Sequence, residues 1–468
     1  MEACDQTVIG LREMLDRGAV SSEALVAQLI ARTEAATALN AYAAFDADGL
    51  RAQARQADAR IAAGVRLPLL GIPIGLKDNI DALGFPCAAG TAALQGKHPA
   101  QDAELVRRLR AAGALIAGKL NMHELAFGIT NNNRVTGAVH NPWDRARIPG
   151  GSSGGCGAAV AARLVPAAIG TDTGGSVRVP AALCGVAGLR PSAGRLPGDG
   201  IAPISATRDT AGPLARSLRD CALIDQVLAG DDTPLQALGI AGLRLGIPRD
   251  GFWDDLDPGV RRVAESALDA LRAAGAELVD VSLAGVSEAN AEAGFPIALY
   301  EFVRDMRRYL HDKQRGITLQ QLVAGIGSPD VAAIATPLLA GGAVPEAAYQ
   351  AALAARRRLQ GFYASAFERA RVEALVFPTT PLVACRIGED ETVWLNGRSG
   401  PTFPTYIRNT DPGSNAGIPG VSLPAGLCDG LPVGLALDAP AGSDRRLLAI
   451  AAAVEAALPP APVAPLQR

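Results

Sequence analysis

The chain has 468 residues, 49% hydrophobic and 19% charged, the balance of a packed globular protein rather than a disordered one. Its 44 basic and 47 acidic residues leave a formal net charge of -3, too weak a field to attract nucleic acid or anionic lipid. No apolar run of about 18 residues free of charge or proline occurs, and Met1–Asp5 has neither a basic region nor an apolar core, so neither a membrane span nor an export signal is expected.

Residues 1–60 read as N-terminal helices. Leu25, Val26, Leu29 and Ile30 repeat at i, i+3, i+4 spacing, with Ser21 or Ser22 placed to cap the start. Strand-like apolar runs follow at Leu69–Leu76 and, after a helical Ala103–Ala112, at Ala114–Ala117. Later runs lie at Leu243–Ile247, Glu277–Val281, Ala374–Phe377 and Val433–Leu437, with helical patterns at Pro258–Ala274 and Pro345–Ala370 between them. This alternation predicts an α/β fold around a buried, parallel or mixed sheet. Residues 284–370 carry the weakest strand signal and read as a mostly helical insertion. Residues 459–468 are a Pro-rich tail expected to be poorly ordered. No repeat or low-complexity linker divides the chain, so a single domain over 1–468 is expected, with a core at 65–215.

Seven cysteines are scattered without a C-x-x-C pair, which reads as reduced thiols in a cytoplasmic protein. The four histidines lack metal-ligand spacing, and no metal or organic cofactor is expected.

The informative stretch runs from Gly150 to Pro180. Gly150-Gly151-Ser152-Ser153-Gly154-Gly155 precedes a helix candidate at Ala158–Leu164 and a short apolar piece at Val165–Ile169. Then comes Gly170-Thr171-Asp172-Thr173-Gly174-Gly175-Ser176-Val177-Arg178-Val179-Pro180, so Ser152 and Ser176 stand 24 positions apart with a helix and a strand between them. A flexible linker would not sit between apolar flanks. A phosphate loop would need a Lys after its glycines, and none is present. A tight turn without chemistry is the plain alternative.

The functional reading rests on exposure of a serine hydroxyl beside converging backbone N–H groups. Thr173, Gly174, Gly175 and Ser176 offer such groups as an oxyanion hole. A serine needs a base to become nucleophilic, and no histidine has flanks that place it here. Lys77 ends the apolar segment Gly71–Asn79 (GIPIGLKDN), at the C-terminal end of a strand, where open α/β sheets bind their ligands. Burial there would favour the neutral amine, which can accept a proton. The competing reading is a lysine that snorkels or pairs with Asp78 or Asp81.

Lys77 in that segment, Gly150–Gly155, and Gly170–Pro180 continuing through Ala181–Pro191 together resemble the amidase signature family. Val376–Pro381, Asn415–Pro419 and Gly430–Leu435 are similar to it as well, so the resemblance covers nearly the whole chain. It implies a single domain in which helices cover both faces of a mixed twisted sheet. It also implies a catalytic set of Ser176 as nucleophile, Lys77 as base and Ser152, in a cis peptide after Gly151, as proton relay. Asp172, Arg178 and Ser153 would brace the nucleophile loop. Phe403–Asn415 and Ala439–Leu448 resemble the branch that hydrolyses indoleacetamide and mandelamide, which implies a small arylacetamide-type substrate. Phe127, Phe403, Tyr406 and Arg408 are the candidates for its pocket. The alternatives are hydrolysis of carbamates, anilides or other xenobiotic amides, the glutaminase subunit of a tRNA-dependent amidotransferase, and a ligand-binding module without chemistry. A homodimer is the candidate protein assembly.

Overall fold

The computed structural model describes residues 2–465. Eleven strands form one mixed sheet. They are β1 (Tyr42–Phe45), β2 (Pro73–Lys77), β3 (Leu115–Leu120), β4 (Ala167–Asp172), β5 (Ala187–Arg190) and β6 (Thr210–Ala215). The second half supplies β7 (Arg244–Ile247), β8 (Glu277–Asp280), β9 (Ala374–Pro378), β10 (Gly420–Cys428) and β11 (Leu431–Asp438). Their order is β1-β3-β2-β4-β6-β5-β10-β11-β9-β7-β8. Strand β2 runs parallel to both neighbours, β3 and β4, while β4 is antiparallel to β6 and β10 to β11.

The pleat divides the side chains between two cores. Ile74, Leu76, Ile116 and Ile169 face one core, and Leu115, Ala117, Ala168 and Leu214 the other. Helix Leu218–Ala229 covers the first face through Leu218, Cys221, Ile224 and Leu228. Helices Ser22–Ala35, Ala47–Ala62 and Gly154–Ala161 cover the second through residues such as Val26, Leu50 and Val160. The helix at Ser22–Ala35 starts where its cap does: Ser21 Oγ accepts from the Ala24 N–H at 3.0 Å. This is the α/β fold expected from the alternation of strands and helices.

Three differences have local causes. Strand β1 interrupts the expected N-terminal helices; at four residues on the sheet edge it is too short for a periodic signal. Strand β2 begins at Pro73 rather than Leu69, because Ile72 N donates to Leu69 O in a turn with Gly71 at φ +80°. Residues 459–465 have no regular secondary structure, yet Ala464 is buried and its carbonyl accepts from Arg163 Nη2 at 3.0 Å. The last three residues of the expected tail, 466–468, lie outside the described residues, as does Met1.

Residues 284–370 form helices Val286–Asp312, Leu319–Ala324, Pro329–Leu339 and Glu346–Ala370. The two long ones pack through Ala293, Ile297, Tyr349, Ala352 and Ala355, with Tyr300 and Tyr349 stacked 4.0 Å apart. Among the described residues no helix is long and apolar enough to cross a membrane. All seven cysteines are free and buried.

Candidate active site

Parallel neighbours β2 and β4 carry Lys77 and Thr171–Asp172 to their shared C-terminal end, inside the sheet. The turn between β4 and helix Arg178–Cys184 supplies Thr173–Ser176, and the turn before helix Gly154–Ala161 supplies Ser152 and Ser153. That helix starts against the end of β3: a Cβ on Gly155 would stand 2.4 Å from Asn121 O, so only glycine permits the approach. The Gly151–Ser152 peptide is cis.

Lys77 is fully buried. Its Nζ donates to Ser152 Oγ and to Thr171 Oγ1, each at 2.8 Å, and lies 3.4 Å from Thr171 O. The acids next to it in sequence are committed elsewhere. Asp78 Oδ1 lies 3.5 Å from Lys119 Nζ, and Asp81 is paired with Arg315 and accepts from Tyr309 Oη at 3.1 Å. Among the described residues Lys77 has no ion-pair partner. Burial of an amine without a counter-ion disfavours its charged form and lowers its pKa from 10.5 to about 7, with Asp172 and Asp209 opposing at longer range. The snorkelling and ion-pair readings of Lys77 are not met.

Ser153 Oγ donates to Thr171 O at 3.1 Å, and Ser153 N donates to Ser176 O at 3.2 Å, which ties the two serine turns together. Ser176 retains slight exposure, and its hydroxyl has no hydrogen bond among the described residues. Lys77 and Ser152 are thus in direct contact, and Ser176 is tied through its carbonyl to Ser153, the residue after Ser152.

Asp172 organises the Thr173–Ser176 turn. Its carboxylate accepts from the N–H groups of Gly175 (2.8 Å) and Val177 (3.2 Å), from Arg178 Nε at 3.1 Å and from Arg190 Nη1 at 3.1 Å. Burial pushes this carboxyl up, but the two guanidiniums and the N–H groups outweigh it and hold it well below the usual carboxylate range. The Gly175 N–H is spent on Asp172, which removes Gly175 from the expected oxyanion set and leaves Thr173, Gly174 and Ser176 in it. Gly175 has φ +136°, and a Cβ there would stand 2.1 Å from Thr410 Oγ1, which itself donates to Gly174 O at 2.7 Å. Only glycine serves at this position.

An apolar hollow of about 60 Å³ adjoins Ser176 and Gly174. Phe127, Phe295, Phe403 and Ile407 wall it, and Arg208 and Asp411, paired with each other, line it as well. Phe127 packs edge-on against Phe302 with ring centroids 4.8 Å apart. Two expected pocket residues lie elsewhere, which corrects that expectation. Tyr406 is fully buried, its Oη donating to Val383 O at 2.7 Å and accepting from Cys385 N at 2.8 Å. Arg408 turns away, with Nη2 on Asp254 O at 2.8 Å.

Several contributors were not anticipated. Thr171 lies inside the Gly170–Pro180 motif, but only the register of β4 against β2 puts its hydroxyl on Lys77. Arg190 lies in the Ala181–Pro191 continuation of the motif, whereas Thr410, Arg208 and Asp411 come from other segments, and no spacing rule connects those three to the turn. Asp438, at the end of β11, lies 3.7 Å from Arg178 Nη1, and burial raises its carboxyl to about 7.

A family model described as Amidase matches residues 24–448. The chain is 47% identical to an indoleacetamide hydrolase of Rhizobium radiobacter over 448 residues, covering 95% of this chain and 96% of that one. It is 41% identical to a mandelamide hydrolase of Pseudomonas putida, covering 94% and 89% of the two chains. The crystal structure of a peptide amidase from Stenotrophomonas maltophilia superimposes with a TM-score of 0.87 at 33% identity, covering 99% of each chain.

Proposed function

The chain belongs to the amidase family and hydrolyses amide C–N bonds, and from that premise we propose that it releases ammonia from a primary arylacetamide-type amide through an acyl-enzyme on Ser176. Lys77 is the base and Ser152 the relay between them. The observation that carries this reading is the 2.8 Å contact between Ser152 Oγ and a lysine amine with no counter-ion.

With a pKa of about 7, a large share of Lys77 is neutral near neutral pH. A neutral amine keeps N–H donors for Thr171 and presents a lone pair to the Ser152 O–H. Ser152 Oγ then accepts the proton of Ser176 as Ser176 Oγ attacks the carbonyl carbon. The N–H groups of Thr173, Gly174 and Ser176 receive the developing oxyanion. Lys77 returns the proton through Ser152 to the nitrogen, ammonia leaves, and water cleaves the ester by the same path.

The choice of acyl group is supported by Phe127, Phe295, Phe403 and Ile407 beside Ser176. Aromatic walls favour an aryl group over the charged amino-acid head of glutamine. The names of the indoleacetamide and mandelamide hydrolases agree with that choice. Ammonia release from indoleacetamide, mandelamide, phenylacetamide, glutamine and simple anilides tests it. The arylacetamides are expected to have the highest kcat/KM; a preference for glutamine or anilides overturns the substrate assignment.

A further inference from the structure

The Thr173–Ser176 turn requires two glycines in succession. A Cβ on Gly174 would stand 2.7 Å from Asp411 Oδ1, and one on Gly175 would stand 2.1 Å from Thr410 Oγ1. Glycine meets the space requirement but leaves the peptide groups beside it easy to rotate. The Gly174–Gly175 peptide is held at both ends: Thr410 Oγ1 donates to Gly174 O at 2.7 Å, and the Gly175 N–H donates to Asp172 Oδ1 at 2.8 Å. The Thr173–Gly174 peptide is held at one end. Its carbonyl accepts from Arg208 Nη2 at 3.2 Å, and its N–H, on Gly174, has no partner among the described residues.

Arg208 is itself fixed from several sides. It is 4% exposed, its Nη1 donates to Gly294 O at 2.9 Å, and its own carbonyl accepts from Arg190 Nη2 at 2.7 Å. Its Nη2 also pairs with Asp411, whose Oδ2 accepts from Asn290 Nδ2 at 2.9 Å. Asn290 and Gly294 belong to helix Val286–Asp312, so the helical insertion reaches the turn through this side chain. In a trans peptide the C=O and N–H point in opposite directions, so a donor on Thr173 O fixes where the Gly174 N–H points. A charged donor on the carbonyl also polarises the N–H of the same peptide. Rotation of that peptide would bring a carbonyl oxygen to where the oxyanion needs a donor.

We propose that Arg208 is a positioning residue for the acyl transfer: by holding Thr173 O it keeps the Gly174 N–H turned towards the oxyanion, and Asp411 keeps Arg208 in place. The inference rests on the proposed function. The role belongs to the transition state, because the carbonyl oxygen of a bound amide gains its full negative charge only as Ser176 Oγ adds to the carbon. Loss of Arg208 therefore lowers kcat rather than raising KM. Binding of the ground state is left to the apolar walls, Phe127, Phe295, Phe403 and Ile407.

The test separates this role from simple support of the hollow, which Arg208 and Asp411 also line. Wild type, Arg208→Met and Arg208→Lys are compared in kcat and KM for phenylacetamide and in Ki for benzylboronic acid and 2-phenylethanol. The boronic acid accepts Ser176 Oγ at boron and becomes a tetrahedral anion that needs the same donors, whereas the alcohol fills the hollow without a carbonyl. Arg208→Met should lower kcat about 100-fold and weaken benzylboronic acid by a similar factor. KM and the 2-phenylethanol Ki should move by less than about threefold. Arg208→Lys keeps a charge beside Asp411 and one donor, so it should recover about tenfold of both losses. The lysine variant decides the comparison if the methionine variant does not fold. Unchanged kcat and boronate affinity in a folded variant, or a 2-phenylethanol Ki that rises as much as that of the boronic acid, overturns the inference and leaves the proposed function standing. A wild type that neither cleaves phenylacetamide nor binds benzylboronic acid overturns both.

Discussion

Lys77 Nζ lies 2.8 Å from Ser152 Oγ, and the two acids nearest to Lys77 in sequence are each paired with a different cation. The amine is thereby left buried, hydrogen-bonded to hydroxyls and without a counter-charge, which is the condition that makes a lysine basic without being protonated.

Activity should follow the lysine's titration. With its pKa lowered to about 7, kcat/KM is expected to rise as pH passes upward through about 7 and then level off. A profile flat from pH 5 to 9 would contradict Lys77 as the base. Stability has its own sign. The unfolded lysine, near 10.4, binds a proton between pH 7 and 10 that the folded one does not, so stability should rise with pH across that window. Lys77→Met should accordingly abolish turnover while raising the melting temperature, most at pH 6 and progressively less towards pH 10.

Ser152→Ala removes one of the two hydroxyls that contact Nζ among the described residues, the other being that of Thr171. The expected loss in kcat is about 100- to 10,000-fold with KM little changed, because a proton path is broken rather than a binding contact. Steady-state kinetics on the best arylacetamide measures both terms. An unchanged kcat would make Ser152 a structural residue.

Asp172→Asn leaves Arg178 and Arg190, both fully buried, short of their shared carboxylate. Breaking such a buried pair costs about 3–5 kcal/mol, and denaturant unfolding should show a loss of that order. Since the carboxyl is held below its unfolded value, its contribution is present at neutral pH and disappears as pH falls through the acid range. A variant as stable as the wild type would mean that the turn is held without Asp172.

Much of this site was legible before the fold. Lys77 ends a run of alternating apolar residues, and the two Gly-Ser turns announce themselves by composition. What the sequence hides is long-range. Strands β5, β6 and β10 contain Gly188, Gly212, Pro213, Pro424 and Gly426, which break the apolar alternation that marks a strand. Thr171 gains its role only when β4 pairs with β2. Tyr406 shows the reverse problem: an aromatic in a site-like segment was expected to face substrate, but its hydroxyl satisfies the backbone at Val383 and Cys385 instead.

That contrast is itself measurable. Phe403 is half-buried on the wall of the hollow beside Ser176, so Phe403→Ala should lower the ratio of kcat/KM for phenylacetamide over acetamide by about 10- to 100-fold. Tyr406→Phe strands a buried N–H and a carbonyl, and should cost about 1–3 kcal/mol of stability without altering that ratio. The opposite pattern would exchange the two roles.

In the proposed reaction Ser176 carries the acyl group. Reaction with an arylsulfonyl fluoride, followed by peptide mapping by mass spectrometry, tests this most directly. One modification is expected, on the peptide containing Ser176, with loss of amidase activity in step with labelling and no labelling of Ser176→Ala. Labelling at another serine, or a Ser176→Ala variant that still hydrolyses its amide at the wild-type rate, would contradict it.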